Sequence, residues 1–249
     1  MADKPLSGKT ALVTGAARNI GRAIALEFAG AGANVVINAL QDKAAAEAVA
    51  AEIRALGVEV LVQMADVVDR PAVEAMVEAG TKEFGAIDIL VSNASARGQK
   101  DFLEMDYQTW RRPIDISLDG TFHLAQACLP GMIEKGWGRI ITLGGFAWHL
   151  GYKNRANNLA AKAGVVGLTR ALAAEFGEHG ITANNISPGM IETVRPASAG
   201  AMPNAGTTPV PRLGTPDEIA SAALFLAHPK QGFVNGQIIH VNGGLYYGT

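Results

Sequence analysis

Thr14-Gly15-Ala16-Ala17-Arg18-Asn19-Ile20-Gly21 sets the organisation of the whole chain. It ends the β-branched run Thr10 to Thr14 and leads without a break into Asn19 to Ala29, where apolar residues recur at helical period. A strand turning through glycine into a helix lets the backbone approach a phosphate. The helix N-terminus then offers N–H groups and a partial positive charge to a pyrophosphate. Ser7-Gly8-Lys9-Thr10 superficially matches a triphosphate loop, but Asp3 stands where the upstream glycine belongs and the segment leads into a strand. It carries no such function.

The same alternation continues to the C-terminus. Further strands are predicted at Asn34 to Asn38, Val58 to Met64, Ile87 to Ser92, Gly138 to Leu143, Ile181 to Ile186 and Gln237 to Val241. Helices are predicted at Asp42 to Leu56, Pro71 to Phe84, Tyr107 to Lys135, Ala156 to Phe176 and Pro216 to Ala227. Regular strand–helix alternation implies right-handed crossovers between parallel strands. The expectation is a single α/β domain over residues 1–249, a doubly wound seven-stranded parallel sheet with helices on both faces. Only 190–212, rich in Pro, Ala, Gly and Thr, lacks a period; a long loop after a strand of such a sheet is expected to be a lid on the substrate side.

Composition narrows the function. The 249 residues carry 21 Lys plus Arg against 23 Asp plus Glu, with 49% hydrophobic and 18% charged residues, so the chain has ample core and no basic surplus. Nucleic-acid binding needs clustered Lys and Arg, and none occur. No run reaches the ~18 apolar residues of a membrane span, and the start lacks a signal-peptide core. One cysteine, Cys128, forms no internal disulfide and reads as a buried, inert thiol. The expected location is the cytoplasm, and the expected partner a small-molecule substrate.

The order and spacing of Thr14-Gly15-x-x-x-x-Ile20-Gly21, Ala65-Asp66-Val67, Ser92-Asn93-Ala94-Ser95, Lys162, Ser187-Pro188-Gly189 with Ile191-Glu192-Thr193, and Val241-Asn242-Gly243-Gly244 resemble the short-chain dehydrogenase/reductase family. The resemblance runs from about Gly8 to Gly244. It implies a nicotinamide cofactor whose phosphates meet Gly15, Arg18, Asn19, Ile20 and Gly21. Asp66 and Val67 would meet its adenine, Asn93, Ala94 and Lys162 its ribose, and Thr193 its carboxamide, with Pro188, Gly189 and Ile191 further cofactor contacts. The second strand ends in Asn38-Ala39-Leu40, without the acid that binds a ribose 2′-hydroxyl and repels a 2′-phosphate. With Arg18 nearby, NADP(H) is favoured over NAD(H). The resemblance also implies a homotetramer packed through Tyr107 to Lys135 and Ala156 to Phe176, with Leu245-Tyr246-Tyr247 at an interface.

At the catalytic positions the chain departs from that pattern. Where the family has Tyr four residues before its Lys, the sequence has Asn158; Gly145 takes the place of the substrate-binding Ser, and Ser117 that of the relay Asn. Of the four, Lys162 alone remains. Asn158 has no proton to give near neutral pH, and Gly145 has no side-chain donor. Losing the acid–base group costs roughly 10²–10⁴ in rate and the oxyanion donor roughly 10²–10³, so ordinary ketone reduction should be slow. Reduction of an activated carbon–carbon double bond fits these losses better than reduction of a carbonyl. The alternatives are a redox-inactive cofactor-binding subunit and a non-redox lyase or isomerase. His149 and Tyr152 are the replacement proton donors to consider, Trp148 is expected to pack, and Ser95, Arg97 and Lys100 flank the cleft mouth. The remaining histidines are too scattered to predict a metal site.

Overall fold

A computed structural model describes residues 4–96, 98–194, 206 and 208–248. In chain order the elements are β1 (Thr10–Val13), α1 (Asn19–Gly30), β2 (Asn34–Ala39), α2 (Lys43–Ala55), β3 (Val60–Met64), α3 (Arg70–Phe84) and β4 (Ile89–Ser92). They continue with α4 (Tyr107–Ile114), α5 (Gly120–Lys135), β5 (Gly138–Leu143), α6 (Ala147–Leu150), α7 (Ala156–Phe176), β6 (Ile181–Pro188), α8 (Pro216–Ala227) and β7 (Ile238–Val241). The seven strands form one sheet in the order β3-β2-β1-β4-β5-β6-β7, parallel throughout.

The five inner strands are buried on both faces, since successive side chains point to opposite sides and helices cover each, while the edge strands β3 and β7 are half-buried. On β1, Ala11 and Val13 join a core with Ile24, Phe28, Ile53, Ile219 and Leu226 under α1, α2 and α8. Leu12, between them, joins the opposite core with Met76, Leu124, Met132 and Leu172 under α3, α5 and α7. Strand order reverses at β1 and β4, so a crevice opens beyond their carboxyl ends, the usual ligand position in such sheets. At the other end of the sheet the buried Asp88 carboxylate accepts from the Thr10 backbone N–H (2.9 Å) and from Lys135 Nζ (2.9 Å).

Two elements differ from expectation. The helix predicted over Tyr107 to Lys135 is interrupted: α4 ends at Ile114, Asp115–Asp119 form a π-helical turn, and α5 begins at Gly120. Pro113 lies just before the turn and brings no N–H to the α-helical ladder, so the wider hydrogen-bonding pattern starts where that ladder is already broken. The single turn α6 had no sequence prediction, since four residues show no period. Most of the predicted lid over 190–212 lies outside the described residues, as does Arg97. Among the described residues no helix is long and apolar enough to cross a membrane, and no group of three or more His, Cys, Asp or Glu could hold a metal ion.

Candidate active site

The glycine-rich turn is fixed by close contact. Gly15 has φ +61°, and a Cβ on Gly21 would lie 2.4 Å from the Gly15 carbonyl oxygen and 2.7 Å from Asn93 Nδ2. Gly21 is therefore required for α1 to approach the turn. The Thr14 hydroxyl accepts from the backbone N–H groups of Asn93 and Ala94 (both 3.0 Å), and Asn93 Nδ2 donates to the Thr14 carbonyl (2.8 Å). Asn93 thus braces β1 against β4. No side chain caps the α1 N-terminus and its first turn holds no acid, so its N–H end faces the crevice without a competing carboxylate. These features fit a bound pyrophosphate.

The turn also meets the end of β2, where the Ala16 N–H donates to the Asn38 carbonyl (3.0 Å). Asn38 itself is buried, and its amide donates to the Ala65 carbonyl (3.0 Å), joining β2 to β3. The rim beyond carries exposed Leu40 and, from the turn, exposed Arg18. The next acid along the chain, Asp42, caps α2 by accepting from the Ala45 N–H (3.0 Å). Asp66 accepts from the Val68 N–H (3.1 Å), and Val67 is packed against Gly120, where a Cβ would come within 2.9 Å of it.

Beside the turn lies a cleft of about 290 Å³ whose lining includes Ile20, Asn93, Ser95, Pro188, Gly189 and Ile191. Asn158 and Lys162 reach it from α7, Gly145 from the end of β5, and Tyr152 from the segment between α6 and α7. Lys162 is buried and its Nζ donates to the Leu143 carbonyl (2.7 Å). The Asn158 amide donates to the Ala96 carbonyl (3.2 Å), which holds the segment after β4 against α7. Gly145 has φ +155°, and a Cβ added there would meet nothing within 4 Å. Ser117 is not on the lining: it sits in the π-helical turn, its hydroxyl buried without a hydrogen-bond partner among the described residues.

Thr193 is buried just after β6, and its neighbour Val194 is gripped by Asn19. Asn19 Nδ2 donates to the Val194 carbonyl (3.0 Å), while the Val194 N–H donates to Asn19 Oδ1 (2.9 Å). The Asn19 backbone holds φ +52°, a conformation a non-glycine residue adopts at some cost and Asn most readily. This clamp had no sequence signal, because its partners lie 175 residues apart.

Of the two replacement donors, Tyr152 lines the cleft and meets Phe146 edge to face at 5.8 Å. His149 does not line it: its ring lies 3.7 Å from that of Trp148 and stacks on Tyr246 at 4.0 Å, with His240 at 5.0 Å. Burial pushes the His149 imidazole below its ordinary pKa, with His240 adding to the shift, and burial also lowers His240. Trp148 packs as expected. Ser95 is at the cleft, but Lys100 is paired with Glu104 (3.1 Å). Burial pushes the Cys128 thiol up to about 12, which leaves it unreactive. Arg155, Gln99 and Met190 line the cleft as well, and nothing in the sequence separated them from ordinary surface residues.

Residues 15–246 match the family profile described as enoyl-(acyl carrier protein) reductase. The chain belongs to the short-chain dehydrogenase/reductase family. It is 40% identical over 241 residues to the 3-oxoacyl-[acyl-carrier-protein] reductase FabG of Staphylococcus aureus, covering 96% of this chain and 98% of the relative. The corresponding FabG of Vibrio cholerae is 39% identical over 244 residues, covering 97% and 98%. Among solved structures of the family, a provisionally named gluconate dehydrogenase from Agrobacterium tumefaciens superposes with a TM-score of 0.91 at 35% identity, covering 98% of each chain. A provisionally named short-chain alcohol dehydrogenase from Sinorhizobium meliloti gives 0.91 at 31% identity, covering 97% and 98%.

Proposed function

We propose that this family member is an NADP(H)-dependent reductase with an atypical active site, acting on an activated carbon–carbon double bond or an activated carbonyl. The observation that carries the reading is that Asn158 and Lys162 lie four residues apart on α7 and both line the cleft, opposite a bare Gly145. A nicotinamide cofactor would supply the hydride. The turn around Gly15 and Gly21 would hold its phosphates, Lys162 would hold ribose hydroxyls, and Arg18 beside an acid-free β2 end would favour the 2′-phosphate.

Without Tyr at 158 and Ser at 145, no side chain at these two positions gives a proton to an alkoxide. Asn158 can still donate a hydrogen bond to a carbonyl that activates a neighbouring double bond. Tyr152, which lines the cleft, or water would give the α-carbon the proton that completes reduction of the double bond. The relatives' names cover both double-bond and carbonyl reduction, so the scaffold suits either.

The test is NADPH oxidation by the purified protein on matched enones and saturated ketones, with calorimetric binding of both cofactors alongside. Reduction of enones with little ketone reduction is the expected result. Rapid reduction of saturated ketones would refute the atypical site. Cofactor binding without turnover on either panel would favour the redox-inactive reading.

A further inference from the structure

Cations and acids are unevenly placed around the cleft. Its lining contains Arg155 and Lys162 and, among the described residues, no carboxylate. Lys162 is committed at depth to the Leu143 carbonyl. Arg155 immediately precedes α7 and lines the cleft with Asn158 and Lys162, the three spaced by three and then four residues. Its guanidinium carbon lies 5.7 Å from the centre of the Tyr152 ring. Several other arginines are neutralised by acids: Arg22 pairs with Glu52, Arg70 with Glu74, Arg111 with Asp119 and Arg212 with Glu218. Arg155 forms no ion pair among the described residues, although it is only half exposed.

We infer that Arg155 is a specificity-determining residue that selects substrates bearing a carboxylate close to the reacting carbon. This rests on the proposed reductase reading and adds the substrate class: short-chain unsaturated or oxo acids. The helix sets the length. Arg155 and Asn158 are separated by about 4.5 Å along the axis, against about 10 Å for Arg155 and Lys162. A carboxylate on Arg155 therefore leaves room for a few bonds before the atom that meets Asn158. Tyr152 holds the guanidinium against a flat ring, so less freedom is lost when its planar fork takes a carboxylate. A neutral thioester or ester leaves the cation without a partner in the cleft, and that difference gives the selectivity.

The experiment is calorimetric titration of the NADP+-loaded protein with trans-4-oxo-2-pentenoate, whose ketone is free to meet Asn158, and with its methyl ester, repeated with Arg155→Gln and Arg155→Lys. The oxidised cofactor prevents reduction, so binding is read apart from turnover. The wild type should bind the acid more tightly than the ester. Arg155→Gln should weaken acid binding by about 10- to 100-fold with ester and NADP+ binding unchanged, and Arg155→Lys should restore part of the preference. Added salt should weaken the acid alone. Equal binding of acid and ester by the wild type, no binding of either, or an unchanged acid preference in Arg155→Gln would each overturn the proposal. Acid preference without any NADPH-driven reduction would leave this inference standing and remove the reductase reading instead.

Discussion

Asn158, Gly145 and Ser117 test whether chemistry follows side chain or scaffold. The triple replacement Ser117→Asn, Gly145→Ser and Asn158→Tyr should raise ketone reduction by roughly 10²-fold or more, measured as NADPH oxidation on one carbonyl panel, while enone reduction falls. Space for a serine side chain exists at 145, but φ +155° is strained for any residue with a Cβ, so the backbone must shift to receive it. A second prediction concerns Arg18: Arg18→Leu should weaken NADP(H) by about tenfold and leave NAD(H) unchanged in fluorescence titration. At this scale the sequence was readable where chemistry is rare. A lysine set in an ordered series of motifs stood out, and so did the missing acid after β2. Arg155 did not, because a cleft arginine and a solvated one look alike until the surrounding carboxylates are placed. Asn38 shows the same limit: the sequence places it at the end of the second strand as a cofactor-binding candidate, and only the fold shows its amide donating to the carbonyls of Gln63 and Ala65.

Strands and helices were legible because short β-branched runs without alternation, as strands covered on both faces require, give way to Ala-rich segments of helical period. The exceptions are local. Across the π-helical turn the apolar spacing continues, and only Pro113 hints at a break. In β4 and α5 a different element-scale bond matters: Asp88, 1% exposed, ties the sheet to the C-terminal end of α5 through Lys135. Removing the carboxylate leaves the buried strand-end N–H of Thr10 without its acceptor and the ammonium to water. Asp88→Ala should cost about 2 kcal/mol in urea unfolding. Lys135→Ala should cost less, since that side chain is 38% exposed and water replaces much of its contribution.

For the whole molecule, the long helices α5 and α7 and the exposed Tyr247 are the surfaces on which we expect a homotetramer to form, and light scattering at micromolar concentration should give four times the chain mass. A monomer would remove that expectation. Stability should also depend on pH through the ring cluster at His149 and His240. Both imidazoles are held neutral by burial, so the unfolded chain binds protons that the folded one refuses. The contribution is complete above the unfolded pKa near 6.5 and is lost as pH falls from there toward the lower folded values. His149→Phe and His240→Phe keep a ring in place and should flatten the slope of urea stability between about pH 6.5 and pH 5. The clamp between Asn19 and Val194 bears on how the protein is made. Synthesis runs from the N-terminus, so the asparagine leaves the ribosome with its backbone cost unmet, and the residue that compensates it follows 175 positions later. The glycine-rich turn, among the first segments translated, is among the last to be finished.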